Sequence, residues 1–410
     1  MNRTGKIISL YQKYVLNTYS RVPVAFVRGK GSWIWDAEGR RYLDFFPGVG
    51  VGGLGHCHPA VVAAVRAQAG KLIHIANTYY SPQQAELARV LQKLARFPGR
   101  VFFCNSGAEA NEALIKLARR WGQVVVGDPR RTEIVAVRDA FHGRTLGALA
   151  ATGRGIYQKG FAPLPRGFRH VPLNDEKAAR RAIGRRTCGV LIEPILGEGG
   201  IKEPERKYLR LLRALTKKHR ALLLFDEVQS GGGRTGVFFA HQAMGVVPDA
   251  VGFAKTIAGG LPMGAMIVRQ PFAGALPPGT HASTFGGSPL VCAAALAAIK
   301  MTSSPALLSN VRRLGAMIRK ELEGFRRKYP ALIRQVRGRG LMIGMELSVP
   351  GAGVVRSCLD ERLLINCTHE TVVRMLPPLT VSASEVLLAL SILGRALEKA
   401  AKELAMRRVK

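Results

Sequence analysis

The sequence is short of acidic residues, of long apolar runs and of closely spaced cysteines. It contains 61 Lys and Arg against 27 Asp and Glu, which gives a formal net charge of +34. No run approaches the roughly 18 apolar residues of a membrane span, and the N-terminus lacks the apolar segment and the cleavage site of a signal peptide. We therefore expect a soluble, cytoplasmic protein without a membrane partner.

The cysteine pattern predicts neither a disulfide framework nor a metal centre. The six cysteines show no CxxC spacing, and several lie in apolar runs, which is typical of reduced thiols in a protein core. His56 and His58 flank Cys57, but no carboxylate or second cysteine stands at the spacing of a metal-ligand set. The cysteines are Cys57, Cys104, Cys188, Cys292, Cys358 and Cys367.

The excess of basic residues raises the question of a polyanion partner such as a nucleic acid. However, Lys and Arg are spread through apparent amphipathic helices at 202–220 and 311–328 and through the tail Lys399–Lys410. They show no interleaving with aromatic residues and no recognisable nucleic-acid module. A generally basic surface is the favoured interpretation, and a polyanion-binding protein stays open as an alternative.

Length and pattern predict an α/β fold with two domains. The 410 residues are 47% hydrophobic, enough for a large core. Helical stretches alternate with short apolar segments, which predicts a mostly parallel sheet wrapped by helices. We expect this large domain at 57–299 and a smaller α+β domain built from 1–56 and 300–410. The apolar segments lie at 101–104, 133–137, 188–192, 222–226, 250–253 and 264–268.

An isolated acid and an isolated lysine stand at the ends of two predicted strands. Four apolar residues lead into Asp226, and the carboxyl ends of strands in open α/β sheets border the ligand crevice. Lys255 follows a second apolar run, and a partly desolvated pocket there would favour its neutral amine, which can form a Schiff base. This pairing suits pyridoxal phosphate chemistry.

The segment around Ser106 has the layout of a phosphate site. Ser106 and Glu109 match a helix capping box after a predicted strand, and the amides of Gly107 and Ala108 would face a phosphate at the positive end of the helix dipole. By itself the segment favours a simple capped helix. Together with Asp226 and Lys255 it favours phosphate binding.

Two arginines are candidates for binding carboxylates. Phe141 could stack on a planar cofactor while Arg144 takes a carboxylate in a two-pronged ion pair, although the segment alone also suits a core ring and a surface charge. Arg374 lies in an otherwise apolar segment, where an unpaired charge would be costly. Glu198, in a glycine-rich turn, could supply its carboxylate, or be a simple loop acid.

These residues lie in motifs that resemble class III aminotransferases over nearly the whole chain, in particular those that act on N-acetylornithine. The resemblance implies a fold-type I pyridoxal-phosphate enzyme, working as a homodimer with active sites at the subunit interface. The motifs are NSGAEANEAL (105–114), FHGRT (141–145), EPILGEGG (193–200), LLLFDEVQSGGGRTG (222–236), PDAVGFAKTIAGGLPMGA (248–265), STFGGSPL (283–290) and INCTHETVVRMLPPL (365–379).

For the cofactor, the resemblance implies a phosphate site at Ser106, Gly107 and Ala108. Thr284 would reach the phosphate of the other subunit's cofactor. Phe141 would cover the ring, Asp226 would keep the pyridine nitrogen protonated, and Gln229 would bond the phenolic oxygen. Lys255 would hold the cofactor and then move the proton.

For the substrates, the resemblance implies that Arg144 and Ser283 meet the amino donor. Arg374 would bind the α-carboxylate of glutamate or 2-oxoglutarate, and Glu198 would mask Arg374 while the donor is bound. The expected reaction moves the δ-amine of N2-acetylornithine to 2-oxoglutarate in arginine biosynthesis. Val49 supports an acylated donor, because ornithine aminotransferases carry there a tyrosine that reads the free α-amine. Succinylornithine, acylated or carrier-linked lysine, ornithine and 4-aminobutyrate stay open as donors.

Overall fold

The computed structural model describes residues 2–409 of the chain. Its helices are α1 (Arg3–Tyr14), α2 (Pro59–Ala69), α3 (Pro82–Ala95), α4 (Gly107–Arg120), α5 (Leu146–Ala151), α6 (Gly155–Gln158), α7 (Glu176–Ala182), α8 (Arg206–Lys218), α9 (Gln270–Ala273), α10 (Pro289–Thr302), α11 (Pro305–Lys328), α12 (Ala352–Asp360) and α13 (Ala383–Val409).

The strands form three sheets. In chain order they are β1 (Phe26–Lys30), β2 (Trp33–Asp36), β3 (Arg41–Asp44), β4 (Gly99–Cys104), β5 (Glu133–Val137), β6 (Phe168–Val171), β7 (Thr187–Ile192), β8 (Leu222–Asp226), β9 (Ala250–Phe253), β10 (Gly264–Arg269), β11 (Ile333–Arg339), β12 (Met342–Leu347), β13 (Leu363–Leu364), β14 (Asn366–Thr368) and β15 (Val372–Met375).

The largest sheet has seven strands in the order β4-β10-β9-β8-β7-β5-β6. Only β10 runs against its neighbours, so the predicted mostly parallel α/β sheet is confirmed. All six predicted strands are present within two residues of their expected bounds. The sequence did not predict β6, because this edge strand carries the polar residues Arg169 and His170 rather than an apolar run.

Strand β8 shows why the sheet can be so apolar. Leu222 and Leu224 pack in one cluster with Leu114 and Leu117 of α4. Leu223 and Phe225 face the opposite layer, in the cluster that holds Leu209 and Leu212 of α8. Successive strand residues point to opposite faces, so a strand covered by helices on both faces is apolar throughout. Asp226 follows as the first polar residue, at the carboxyl end of the strand.

The two smaller sheets draw on both ends of the chain. In the order β1-β2-β3-β13, Leu363 of β13 pairs in parallel with Leu43 of β3. The other sheet, β11-β12-β15-β14, carries Arg374 on β15, opposite Gly344 of β12. Strands from the N- and C-terminal parts of the chain thus share one sheet. The division into a domain of 57–299 and a smaller domain of 1–56 and 300–410 stays a prediction.

The cysteines are free thiols, and the prediction of a core location is wrong for one of them. Cys104, Cys188, Cys292 and Cys358 are buried and Cys367 is half-buried, but Cys57 is exposed. It lies in a tight turn with φ 50°, and its neighbours fix that turn. His56 Nε2 lies 2.8 Å from Asp44 Oδ2, and His58 Nδ1 caps α2 by accepting from the Ala60 amide.

Within residues 2–409, no group of three or more His, Cys, Asp or Glu side chains is placed to hold a metal ion. Over the same residues, no single helix is long and apolar enough to cross a membrane. Only α10 and α11 together reach that length and composition, and they are bent by 61°.

Candidate active site

A cavity of about 500 Å³ opens where β8 and β9 end, the edge at which open α/β sheets bind ligands. Segments from α4, from the loop after β5 and from the turn after β7 close its sides. Most of the predicted site residues line it, namely Ser106, Gly107, Ala108, Phe141, Arg144, Glu198, Asp226, Gln229 and Lys255.

Asp226 is the buried anion of the cavity, with 3% of its surface exposed. Its Oδ2 accepts a hydrogen bond from Asn111 Nδ2 and lies against His142 Nδ1, both at 2.7 Å. Its Oδ1 accepts from the Val228 amide at 2.9 Å. A buried carboxylate is tolerated only when such contacts compensate its lost hydration, so the surroundings hold the carboxylate in one orientation.

The start of α4 lines the cavity and is a candidate anion site. The Ser106 hydroxyl caps the helix by accepting from the Glu109 amide at 3.1 Å, while Glu109 accepts from Asn105 rather than completing the predicted capping box. Within residues 2–409, the amides of Gly107 and Ala108 have no acceptor. Free amides at the positive end of a helix dipole suit a phosphate.

Gly143 brings the loop after β5 against this helix end. Its φ is +134°, and a side chain there would place Cβ 2.7 Å from the Ala108 Cβ. Only glycine fits so close an approach at this backbone angle. The loop therefore carries Phe141 and Arg144 to the rim of the anion site.

Lys255 begins a single 3-10 turn directly after β9 and has a strained positive φ of 47°. Burial in the cavity lowers the pKa of its amine, and the charge of Arg374 adds to this effect, against the opposing influence of Glu198 and Asp226. A larger share of neutral amine at neutral pH makes Lys255 a better nucleophile and base.

Arg144 is exposed at the mouth of the cavity. Its guanidinium lies 4.3 Å from the ring centre of Tyr157, and that ring meets Phe141 edge to face at 5.8 Å. No carboxylate within residues 2–409 pairs with Arg144, so its donors are free for an anionic ligand. Tyr157 was not among the predicted site residues.

Arg374 does not line the cavity, but Glu198 links it to the wall. The guanidinium is 1% exposed, and its Nη1 lies 2.7 Å from Glu198 Oε1. The same nitrogen donates to Gln229 Oε1 at 3.2 Å, and Nε donates to Asn366 Oδ1 at 3.1 Å. Burial would raise the pKa of Glu198, but the charge and the hydrogen bond of Arg374 outweigh it, so the pKa lies below its usual range.

Ser283 and Thr284 lie beside the cavity rather than on its wall. The Ser283 hydroxyl accepts from Asn105 Nδ2 at 3.2 Å and from the Gly286 amide at 3.1 Å, and Asn105 itself lines the cavity. Thr284 is exposed. Its side chain has no hydrogen-bond partner within residues 2–409.

Four polar residues of the site were missed by sequence reasoning: Asn105, Asn111, His142 and Glu193. All lie inside motifs that the sequence shows, yet no spacing reveals that Asn111 and His142 converge on Asp226, 115 and 84 residues away in the chain. Glu193 is buried, and burial, with the charge of Asp226, raises its pKa to about 7. Only the folded chain shows these contacts.

This donor set fits a planar aromatic cofactor that carries a phosphate, a basic ring nitrogen and a carbonyl. The free amides of α4 suit the phosphate, and Asp226 suits a protonated ring nitrogen. Asn111 Oδ1 and His142 Nε2 are buried without a partner in the described chain, as expected next to a site that a ligand completes. Lys255 is the amine that a carbonyl would meet.

Known proteins with similar sequences and structures cover almost all of the chain. The acetylornithine aminotransferase of Methanocaldococcus jannaschii is 47% identical over 379 residues, 92% of this chain and 94% of its own. The crystal structure of N-acetylornithine aminotransferase from Stenotrophomonas maltophilia has a TM-score of 0.83 at 35% identity, covering 97% of this chain and all of its own.

The ornithine aminotransferase of Toxoplasma gondii superposes with a TM-score of 0.93 at 31% identity, covering 98% of this chain and 97% of its own. The fold predicted for the chain, that of a fold-type I transferase, is therefore confirmed. The sequence model of the aminotransferase class-III family matches residues 14–397. The chain belongs to the class-III aminotransferases, enzymes that use pyridoxal phosphate.

Proposed function

We propose that the protein transfers the δ-amino group of N2-acetylornithine to 2-oxoglutarate, giving N-acetylglutamate 5-semialdehyde and glutamate. The observation that carries this proposal is the pair of unlike guanidinium groups around Lys255. Arg144 is unpaired at the mouth, whereas Arg374 is buried under Glu198. One site can thus treat the two substrates differently. The names of the relatives support the same reaction.

We propose pyridoxal 5'-phosphate as the cofactor. Ser106, Gly107 and Ala108 would hold its phosphate, Phe141 would cover its ring, and Gln229 would bond its phenolic oxygen. When bound, the cofactor supplies an electron sink for the carbanion that forms at the substrate. Asp226 would pair with the pyridine nitrogen. The residues that anchor Asp226 keep its carboxylate from turning away.

Lys255 would bind the cofactor covalently between turnovers and carry the proton during them. Burial lowers the pKa of the amine and so raises the share of the neutral form, which would accept the proton from the reacting carbon. Lys255 lies on the short turn after β9 and lines the cavity, so its amine would stay close to the reacting carbon both when it holds the cofactor and when it is free.

The two arginines would read the two substrates. Arg144, with Ser283, would fix the distal α-carboxylate of N2-acetylornithine, so that the far amine reaches the cofactor. Arg374 would bind the α-carboxylate of 2-oxoglutarate or glutamate after Glu198 turns aside. Val49 lies two residues before Val51 of the cavity wall, and it offers no hydroxyl to a free α-amine. The absence of such a partner at position 49 supports a donor with an acylated α-nitrogen.

We also propose a homodimer in which Thr284 serves the other subunit's cofactor. The segment beside Thr284 carries large exposed apolar side chains, which in a monomer would be unfavourable. Phe285 is 66% exposed and Tyr80 is 102% exposed. Asn77, near Tyr80, donates to the Ser283 carbonyl at 2.9 Å and so joins the two segments into one surface. A second copy of the chain would cover it and complete both sites.

A panel of donors tests the reaction. With 2-oxoglutarate and added cofactor, we expect kcat/KM for N2-acetylornithine to exceed those for ornithine and 4-aminobutyrate at least about tenfold. Ornithine would bring a free α-amine for which Val49 offers no partner, and 4-aminobutyrate has no acylated α-nitrogen at all. Lys255→Ala should show no turnover. If kcat/KM is higher for N2-succinylornithine or for an acylated lysine, that compound is the donor instead of N2-acetylornithine. Absence of turnover together with salt-dependent nucleic-acid binding would support the polyanion alternative.

Glu198→Gln tests the masking of Arg374. Without its carboxylate partner, Arg374 should bind α-carboxylates in both half-reactions, so the ratio of kcat/KM for N2-acetylornithine to that for glutamate as donor should fall about tenfold. Glu203→Gln is the matched control, since Glu203 pairs with Arg339 outside the cavity. An unchanged ratio in the Glu198 variant would contradict the masking role.

Hybrid dimers test the shared site. A Lys255→Ala chain with an intact Thr284, combined with a Thr284→Ala chain with an intact Lys255, should regain one complete site, or about half of the wild-type activity per dimer. Thr280→Ala, on the same segment, should not impair activity. If the hybrid is no more active than the Thr284→Ala dimer alone, Thr284 does not act across the interface.

A further inference from the structure

Glu193 has a place in the cavity that the roles above do not use. It follows β7 directly and is 5% exposed, with its carboxylate among the residues that line the cavity. A buried carboxylate needs partners to offset its lost hydration. Those of Glu193 are two backbone amides, and each belongs to a different wall of the site.

Both carboxylate oxygens are engaged. Oε1 accepts a hydrogen bond from the Phe141 amide, and Oε2 accepts from the Gly197 amide, each at 2.9 Å. Neither amide has another acceptor within residues 2–409. One side chain therefore holds the start of the loop that carries Arg144 and the start of the turn that carries Glu198.

The hydrogen bond between Glu193 and the Gly197 amide links Glu193 to Arg374 through the same residue, Gly197. The Gly197 carbonyl accepts from Arg374 Nη1 at 3.1 Å, and Glu198, the next residue, forms the ion pair with the same nitrogen. The loop and the turn also touch, since a Cβ on Gly199 would lie 2.8 Å from the Asp139 carbonyl. The two segments thus lie in close contact, and the Glu193 carboxylate bridges them through its two hydrogen bonds.

We propose that Glu193 is a positioning residue that ties the Phe141 loop to the Gly197 turn and so sets the spacing between the two carboxylate-binding arginines, Arg144 and Arg374. The inference rests on the proposed function for the identity of the two substrates. The two hydrogen bonds of Glu193 are formed within the protein and do not depend on which substrates bind. This positioning role predicts that weakening the carboxylate impairs binding of both substrates more than it slows the chemical step.

Glu193→Gln is the principal variant. It keeps the size of the side chain, but it replaces one acceptor oxygen with an NH2 group that faces an amide N–H, so one of the two bonds is lost. We expect the KM of both N2-acetylornithine and 2-oxoglutarate to rise about tenfold, as for loss of a hydrogen bond to a charged group, while kcat falls less than about threefold. Glu193→Asp keeps the charge and should recover part of the loss.

A binding measurement separates this proposal from the proposed reaction. Calorimetric titration of the holoenzyme with glutarate, a dicarboxylate without the keto group, needs no turnover when no amino donor is present. The affinity for glutarate should fall about tenfold in Glu193→Gln. If the wild type binds glutarate but does not turn over N2-acetylornithine, the proposed reaction is wrong. The positioning role of Glu193 is then still tested by the glutarate affinity of Glu193→Gln.

The dependence on pH gives a further readout. Glu193 faces Asp226 on β8, His142 on the Phe141 loop, Lys255 after β9 and, on its own turn, Glu198 with its partner Arg374. Protonation of Glu193 removes an acceptor, so the wild-type KM values should rise as pH falls from about 8 to about 6, the range around a carboxyl pKa raised to about 7. Glu193→Gln should show a flatter profile.

Glu227→Gln is the matched control. Glu227 is equally buried and accepts from the Ala240 and His241 amides, but it does not line the cavity. Its variant should lower the melting temperature without raising either KM. The proposal is overturned if Glu193→Gln keeps both KM values and the glutarate affinity within about twofold of wild type, or if Glu227→Gln raises the KM values equally.

Discussion

The buried carboxylate of Asp226 is the constraint around which the site is arranged. A carboxylate at the end of an apolar strand is costly unless its oxygens are satisfied, and three groups satisfy them: Asn111 from α4, His142 from the loop after β5, and the Val228 amide. The first two contacts bring α4 and the loop after β5 to the end of β8, and the third holds the turn that directly follows β8. The same segments supply the anion site at the start of α4 and the ring of Phe141. The geometry of the cavity thus follows from the need to stabilise one charge.

In the proposed reaction, a free guanidinium and a covered one near the cavity would bind the two substrates differently. Arg144 lies in the open against Tyr157, whereas Arg374 is held under Glu198 and within reach of Gln229. A permanently exposed second guanidinium would bind either substrate in either orientation. A covered one becomes available only to a ligand whose carboxylate competes with Glu198. Specificity in this account comes from an ion pair that must open.

Much of the fold and part of the site could be predicted from the sequence, for physical reasons. Apolar runs covered on both faces gave β8 and β9, and the first polar residue after each run marked Asp226 and the lysine position. The charge of Arg374 in an apolar segment predicted an anionic partner, and the structure places Glu198 Oε1 2.7 Å from its Nη1. The roles of Asn111, His142 and Glu193 could not be predicted, since they depend on contacts between distant segments. The exposed Cys57 and the polar edge strand β6 depend on local turn and edge geometry, which hydrophobicity does not encode.

The most direct test of this account is the protonation state of the cofactor ring nitrogen, measured by ¹⁵N NMR with pyridoxal 5'-phosphate labelled at that nitrogen. In the wild-type protein near neutral pH, we expect a protonated nitrogen whose signal does not change across the pH range of activity, because Asp226 pairs with it in a buried site. In Asp226→Asn, the signal should move to that of a neutral nitrogen and turnover should fall by orders of magnitude. A neutral nitrogen in the active wild-type protein would contradict the central role given to Asp226.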